Sequence, residues 1–263
     1  MDDSFKKYYK KYTIKNKNFK KYKTHILKGD KIEAGKTKVI IGHLNIEDIL
    51  KLTHEYNTSL TAFITSIYIL ALIETLNNKD KKNNITIAIP VNLRKYFNSP
   101  TVRNFFNLIY IDYFYKENDN LKTIIKDVTE KLNENLKDEN IKQHMYKLAS
   151  IEHNYFIKLI PLFLKDIILA LTNKFLLKKS TITISNLGQI KVNQKLENKI
   201  SHFDVFMSNK RQQICLCSYN NTLSICFTSQ LVSNDIEKNF FKLLSNLNLD
   251  ITIESNKNQD MEE

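Results

Sequence analysis

Two stretches set polar side chains where apolar runs end. Pro90, Val91, Asn92, Leu93 and Arg94 close the run that opens at Ile85, and Ser185 and Asn186 lie within Thr183-Ile184-Ser185-Asn186-Leu187-Gly188. A guanidinium presents a planar fork that holds a carboxylate, and an asparagine amide can donate to charge growing on a carbonyl oxygen. Each stretch also has a plain structural reading. A proline can block further pairing at an edge strand and leave its arginine solvated, and Asn-Leu-Gly can be a turn with Gly188 at positive φ.

Histidine and cysteine supply the other reactive groups. His25, His43, His54, His144, His153 and His202 are scattered singly along the chain. Each reads as a surface or packing histidine, so no catalytic residue is assigned. Cys215, Cys217 and Cys226 are odd in number and fall late in the chain, which does not describe a secreted disulfide framework. A two-residue turn at Asn220-Asn221 would set Cys215 opposite Cys226, within reach of a disulfide in principle. The expectation is packing of small side chains on a sheet face. Without a fourth ligand beside them, no metal is expected.

Composition bounds what these residues can serve. The 263 residues are 42% hydrophobic, with four glycines and three prolines, so the chain can bury a sizeable core and is not a disordered or solenoid sequence. A formal charge of +12 raises nucleic-acid binding, but only Arg94, Arg103 and Arg211 among 40 basic residues are arginine. Readers of phosphate and bases favour the arginine fork, so the lysines read as a solvated surface. The first 23 residues have no apolar core and no apolar run is long enough for a membrane span, so the expected location is cytoplasmic.

The elements that must position these groups follow from pattern. Residues 1–35, rich in lysine and tyrosine, read as an arm; residues 36–253 read as one folded unit; residues 254–263 read as a polar tail. Strands are expected at 36–44, 84–93, 104–115, 180–188, 200–208, 213–219 and 222–231. Helices are expected from Asn45 to Tyr56, from Thr58 or Ser59 to about Asn77, across 120–178, and from Asn234 to about Leu247 with an Asn234/Glu237 capping box. The apolar piece 155–177 carries lysines that would suit a membrane surface, but it is expected to pack on the sheet. The order implies α/β (α+β): a mixed β-sheet backed by helices.

Three pieces in order carry a resemblance: residues 90–107, residues 183–192, and residues 202–228. Together they resemble the chloramphenicol-acetyltransferase-like (CAT-like) acyltransferases, most nearly the bacterial alcohol acetyltransferases related to peptide-synthetase condensation domains. In that family two similar subdomains meet along a channel. The first carries His-His-x-x-x-Asp-Gly, whose second histidine is the general base and whose aspartate is held by an arginine. That motif is absent from these 263 residues, and the likeness is to the second subdomain. The resemblance therefore implies a C-terminal half of a CoA-dependent acyltransferase, inactive alone, with acetyl-CoA or another acyl-CoA as co-substrate and a small hydroxyl acceptor. It implies that Arg94 matches the aspartate-holding arginine and that Asn92, Ser185 and Asn186 lie at the substrate seam. A partner chain with the histidine motif, or self-association, would complete it. A non-catalytic binding or assembly module and a truncated gene product are the other readings.

Overall fold

Hydroxyl and amide side chains start the helices where the pattern expects them. Strand β1 (Lys38–Asn45) runs into helix α1 (Ile46–Glu55), where Asn45 Oδ1 accepts the Glu47 N–H at 2.8 Å and Glu47 and Asp48 face the positive helix end. Ser59 caps α2 (Leu60–Thr75), which is apolar on every side and buried along most of its length. Strands β2 (Ile85–Asn92) and β3 (Phe106–Tyr113) follow, then α3 (Leu121–Asn135) behind an Asn120/Thr123 capping box, α4 (Asp138–Glu152) and α5 (Leu162–Leu176). The chain closes with β4 (Ile182–Gln189), β5 (Gln213–Tyr219), β6 (Thr222–Ser229), α6 (Asp235–Ser245) and β7 (Ile251–Ser255). This computed structural model describes residues 7–8, 23–102, 104–152, 160–197, 199–207 and 211–256.

The strands form one mixed sheet in the order β3-β2-β4-β5-β6-β1-β7, in which β2, β4 and β5 run parallel and the other pairs antiparallel. Side chains alternate between its faces. Ile40, Ile87, Ile184, Leu216 and Phe227 point to a first face, where α2 is flanked by α3 and α6. Gly42 on β1 admits Phe241 of α6: a Cβ there would lie 2.3 Å from the Phe241 ring. The Asn220-Asn221 turn forms with Asn220 at φ 50°, and Cys215 faces Cys226 as a pair of free, buried thiols.

Five expectations are corrected. Residues 201–207 form no strand, because both edges of β5 are already taken by β4 and β6. The segment lies over the second face, where Cys217 Sγ donates to the Phe203 carbonyl at 3.0 Å and Thr228 Oγ1 to that of Met207 at 2.8 Å. The Asn234/Glu237 capping box does not form, since buried Glu237 faces Lys38 Nζ at 3.3 Å. Ser233 Oγ accepts the Asp235 N–H in its place.

The boundaries of the folded unit also move. Glu254 and Ser255 pair with Ile41 and Ile40 in β7, and Asn256 Oδ1 accepts the Val39 N–H at 2.7 Å. Within the arm, the His25 N–H donates to Asn84 O and the Ile32 N–H to Gln230 O, so residues 24–32 lie along the sheet. Finally, the described part of the apolar piece, α5, does not pack on the sheet, and residues 155–159 lie outside the described residues. Leu162, Phe163 and Leu164 are successive, so apolar groups surround the helix, and Phe163, Ile168 and Leu169 are all exposed. Its principal contact is the 3-10 turn that follows it. Among the described residues no single helix is long and apolar enough to cross a membrane.

Candidate functional site

Pro90 opens the sheet. The parallel pairing of β2 with β4 ends at Ala88 opposite Thr183, whereas β2 stays paired with β3 as far as Asn92 opposite Phe106. A proline has no N–H for a ladder, so one neighbour is lost beyond it. The carboxyl ends of β2 and β4 thus emerge side by side, the place where open α/β sheets present ligands.

The four residues singled out from sequence take separate roles there. Asn92 Oδ1 accepts the Arg94 N–H at 3.0 Å and starts a 3-10 turn over Leu93–Lys95. That turn breaks strand alternation, so the expectation that Asn92 and Arg94 point to one side is not met. Arg94 is exposed, and its Nε and Nη2 donate to the Thr101 carbonyl at 3.3 and 2.9 Å. Ser185, half-buried, lies on the second face of β4. Asn186 lies on the first face. Its amide donates to Thr61 Oγ1 of α2 at 3.0 Å, and its Oδ1 accepts the Gly188 N–H at 2.8 Å. Gly188 sits at φ 77°, and the register of β4 shifts between Asn186 and Gln189. Gly188 therefore takes the positive φ expected of it, but inside a bulge of β4 and not in a turn that ends the strand.

Asn92 and Ser185 thus share the second face, framed by exposed Phe106 and Leu187. Polar groups ringed by exposed apolar side chains suit contact with another protein surface or an amphiphilic ligand. The cysteines do not add a nucleophile, because burial pushes the Cys217 thiol up to about 11 and the Cys226 thiol up to about 12. A cleft of about 890 Å³ opens between α1 and α3, and none of the four residues lines it.

No protein-family model and no curated protein sequence matches the chain. Solved structures do. A trichothecene 15-O-acetyltransferase from Fusarium sporotrichioides superposes with a TM-score of 0.56 at 12% identity, covering 84% of this chain and 48% of that one. A second F. sporotrichioides protein, solved with coenzyme A and T-2, gives 0.53 at 10%, covering 87% and 56%. The epimerization domain from the third module of tyrocidine synthetase B gives 0.51 at 13%, covering 88% and 52%. The fold is that of a CAT-like subdomain. The chain spans about half the length of each of these proteins. At this identity the likeness fixes the architecture of the CAT-like subdomain and not its chemistry.

One polar cluster was not legible in the sequence. His43 on β1 meets His202 and Asp204 of the 201–207 segment on the second face. The alternation of His202, Phe203 and Asp204 was a signal, but pairing it with a residue far earlier in the chain required the sheet order.

Proposed function

We infer that this chain is one half of a CoA-thioester-dependent acyltransferase, and that its general base is supplied from outside these 263 residues. The half-length match carries this reading: most of the chain superposes on an acetyltransferase structure and on a structure solved with coenzyme A, and it accounts for about half of each. The missing His-His-x-x-x-Asp-Gly motif agrees with it. In the proposed reaction a histidine of the other half takes the proton of the acceptor hydroxyl as its oxygen attacks the thioester carbonyl. The C–S bond then breaks and the CoA thiolate leaves with that proton. Asn92 and Ser185 would line the acceptor side of the seam, and Arg94 would meet the carboxylate of the other half in exchange for Thr101.

The exposed surface supports a second half. Leu162, Phe163, Leu169 and the Phe106–Leu187 frame are more apolar than a solvated face requires. The test is recovery of the tagged chain from its own cells with identification of what it holds. The expected partner carries His-His-x-x-x-Asp-Gly. A stable complex only with proteins that lack this motif would favour the second reading, a module that keeps the CAT-like fold for assembly alone.

A further inference from the structure

The geometry points to a divalent metal site at His43, His202 and Asp204, of the kind that takes Zn²⁺. His43 Nε2 lies 2.8 Å from Asp204 Oδ1, and His202 Nε2 lies 3.4 Å from Asp204 Oδ2. The two imidazole rings are 4.4 Å apart, and one donor atom from each of the three residues falls within 4.8 Å of the others. Bonds of about 2.0 Å in a tetrahedral zinc site set neighbouring ligand atoms about 3.3 Å apart. The His43–Asp204 and His202–Asp204 separations of 2.8 and 3.4 Å lie close to that spacing.

The outer contacts of both rings fit ligation. A metal-bound histidine turns its other nitrogen to a carboxylate, carbonyl or hydroxyl that fixes the ring. His43 Nδ1 faces Glu254 Oε1 at 4.0 Å, and His202 Nδ1 lies 3.1 Å from Ser201 Oγ. Both rings therefore present Nε2 to one carboxylate and have a polar neighbour behind them. Two imidazoles and a carboxylate are a borderline-soft donor set that suits zinc over magnesium or calcium. Cys226 Sγ lies 4.0 Å from Asp204 Oδ1 but outside the set of donor atoms that lie within 4.8 Å of one another, so it is a neighbour of the three and not one of them.

Position gives the site its consequence. His43 belongs to the sheet, whereas His202 and Asp204 belong to the irregular segment that covers the second face. A bound ion would fasten that cover to β1. A groove of about 550 Å³ lined by Val39, Ile41, Phe206 and Glu254 runs beside the cluster, with Glu254 common to both. The site lies on the sixth strand of the sheet, whereas the β2–β4 opening lies between the second and third. The two are independent, so the metal site stands whether or not the acyltransferase reading does.

The test is calorimetric titration of the full chain, purified metal-free, with ZnCl₂, together with Co²⁺ absorption as a probe of geometry. One equivalent of Zn²⁺ should bind, the Co²⁺ spectrum should show the intense visible bands of a four-coordinate ion, and the thermal midpoint should rise with added Zn²⁺. His202→Ala, at an exposed residue, should weaken binding by at least tenfold, and Asp204→Asn should do the same. Cys217→Ser should leave the affinity unchanged. Absence of saturable one-to-one binding would overturn the site and leave a His43–Asp204 hydrogen bond only. Wild-type affinity in His202→Ala, or affinity lost with Cys217, would place the metal elsewhere and overturn it equally.

Discussion

The Asn186 amide donates to Thr61 Oγ1 at 3.0 Å and so ties the end of β4 to the first turn of α2. The residue that resembled a substrate-facing asparagine is a brace between layers. Asn186→Ala should therefore lower stability by about 1–2 kcal/mol, since it removes this bond and the one from Gly188. Urea melts check it. An unchanged midpoint would free the side chain for a role at the seam.

Lys38 and Glu237 form a buried pair beneath α6, with Lys38 Nζ also donating to the Ser233 carbonyl at 2.6 Å. Removing one partner leaves the other charge buried without compensation. Glu237→Ala should cost about 3–5 kcal/mol, and the double change Lys38→Met, Glu237→Leu should recover most of it. Denaturant midpoints of the three proteins decide, and a harmless single change would mean that water reaches Lys38.

Gly42 owes its place to the Phe241 ring above it. Gly42→Ala should cost about 1–3 kcal/mol by overpacking, and Phe241→Leu should relieve part of that cost in the double variant. Additive losses in thermal melts would show that the two sites do not share space.

Burial lowers the pKa of His25, against an opposing pull from Asp80 and with a smaller push in the same direction from Lys28. The folded form therefore takes up a proton less readily than the unfolded chain. Stability from a neutral His25 is present above its unfolded pKa of about 6.5 and is lost as pH falls below it. His144 adds to the same slope, again through burial. The thermal midpoint should fall between about pH 7 and about pH 5, and less steeply in His25→Gln. Equal slopes in the two proteins would remove His25 from the account.

Local chemistry was legible wherever one stretch of chain settled it. Asn45 and Ser59 mark their helices, and Asn220-Asn221 fixes the register of Cys215 against Cys226. What stayed hidden depended on distant neighbours. Glu237 was spaced for a cap, but burial beside Lys38 gave it a stronger partner. Ile251–Ser255 is short and became a strand because the free edge of β1 lay beside it. Ser185 and Asn186 were treated as one site, although adjacent strand residues face opposite ways. The His43, His202 and Asp204 cluster needed the order β5-β6-β1 and a cover segment that the pattern had taken for a strand.

The half-enzyme reading is tested most directly by thiol release from acetyl-CoA with a panel of small alcohols. It is measured for the purified chain and for the complex recovered on that chain from its own cells. The chain alone should give no release above background, the complex should turn over, and Arg94→Ala should silence the complex while changing the stability of the lone chain by about 1 kcal/mol or less. Robust turnover by the chain alone, lost when one of its own histidines is replaced, would contradict the account and show that these 263 residues already contain the base.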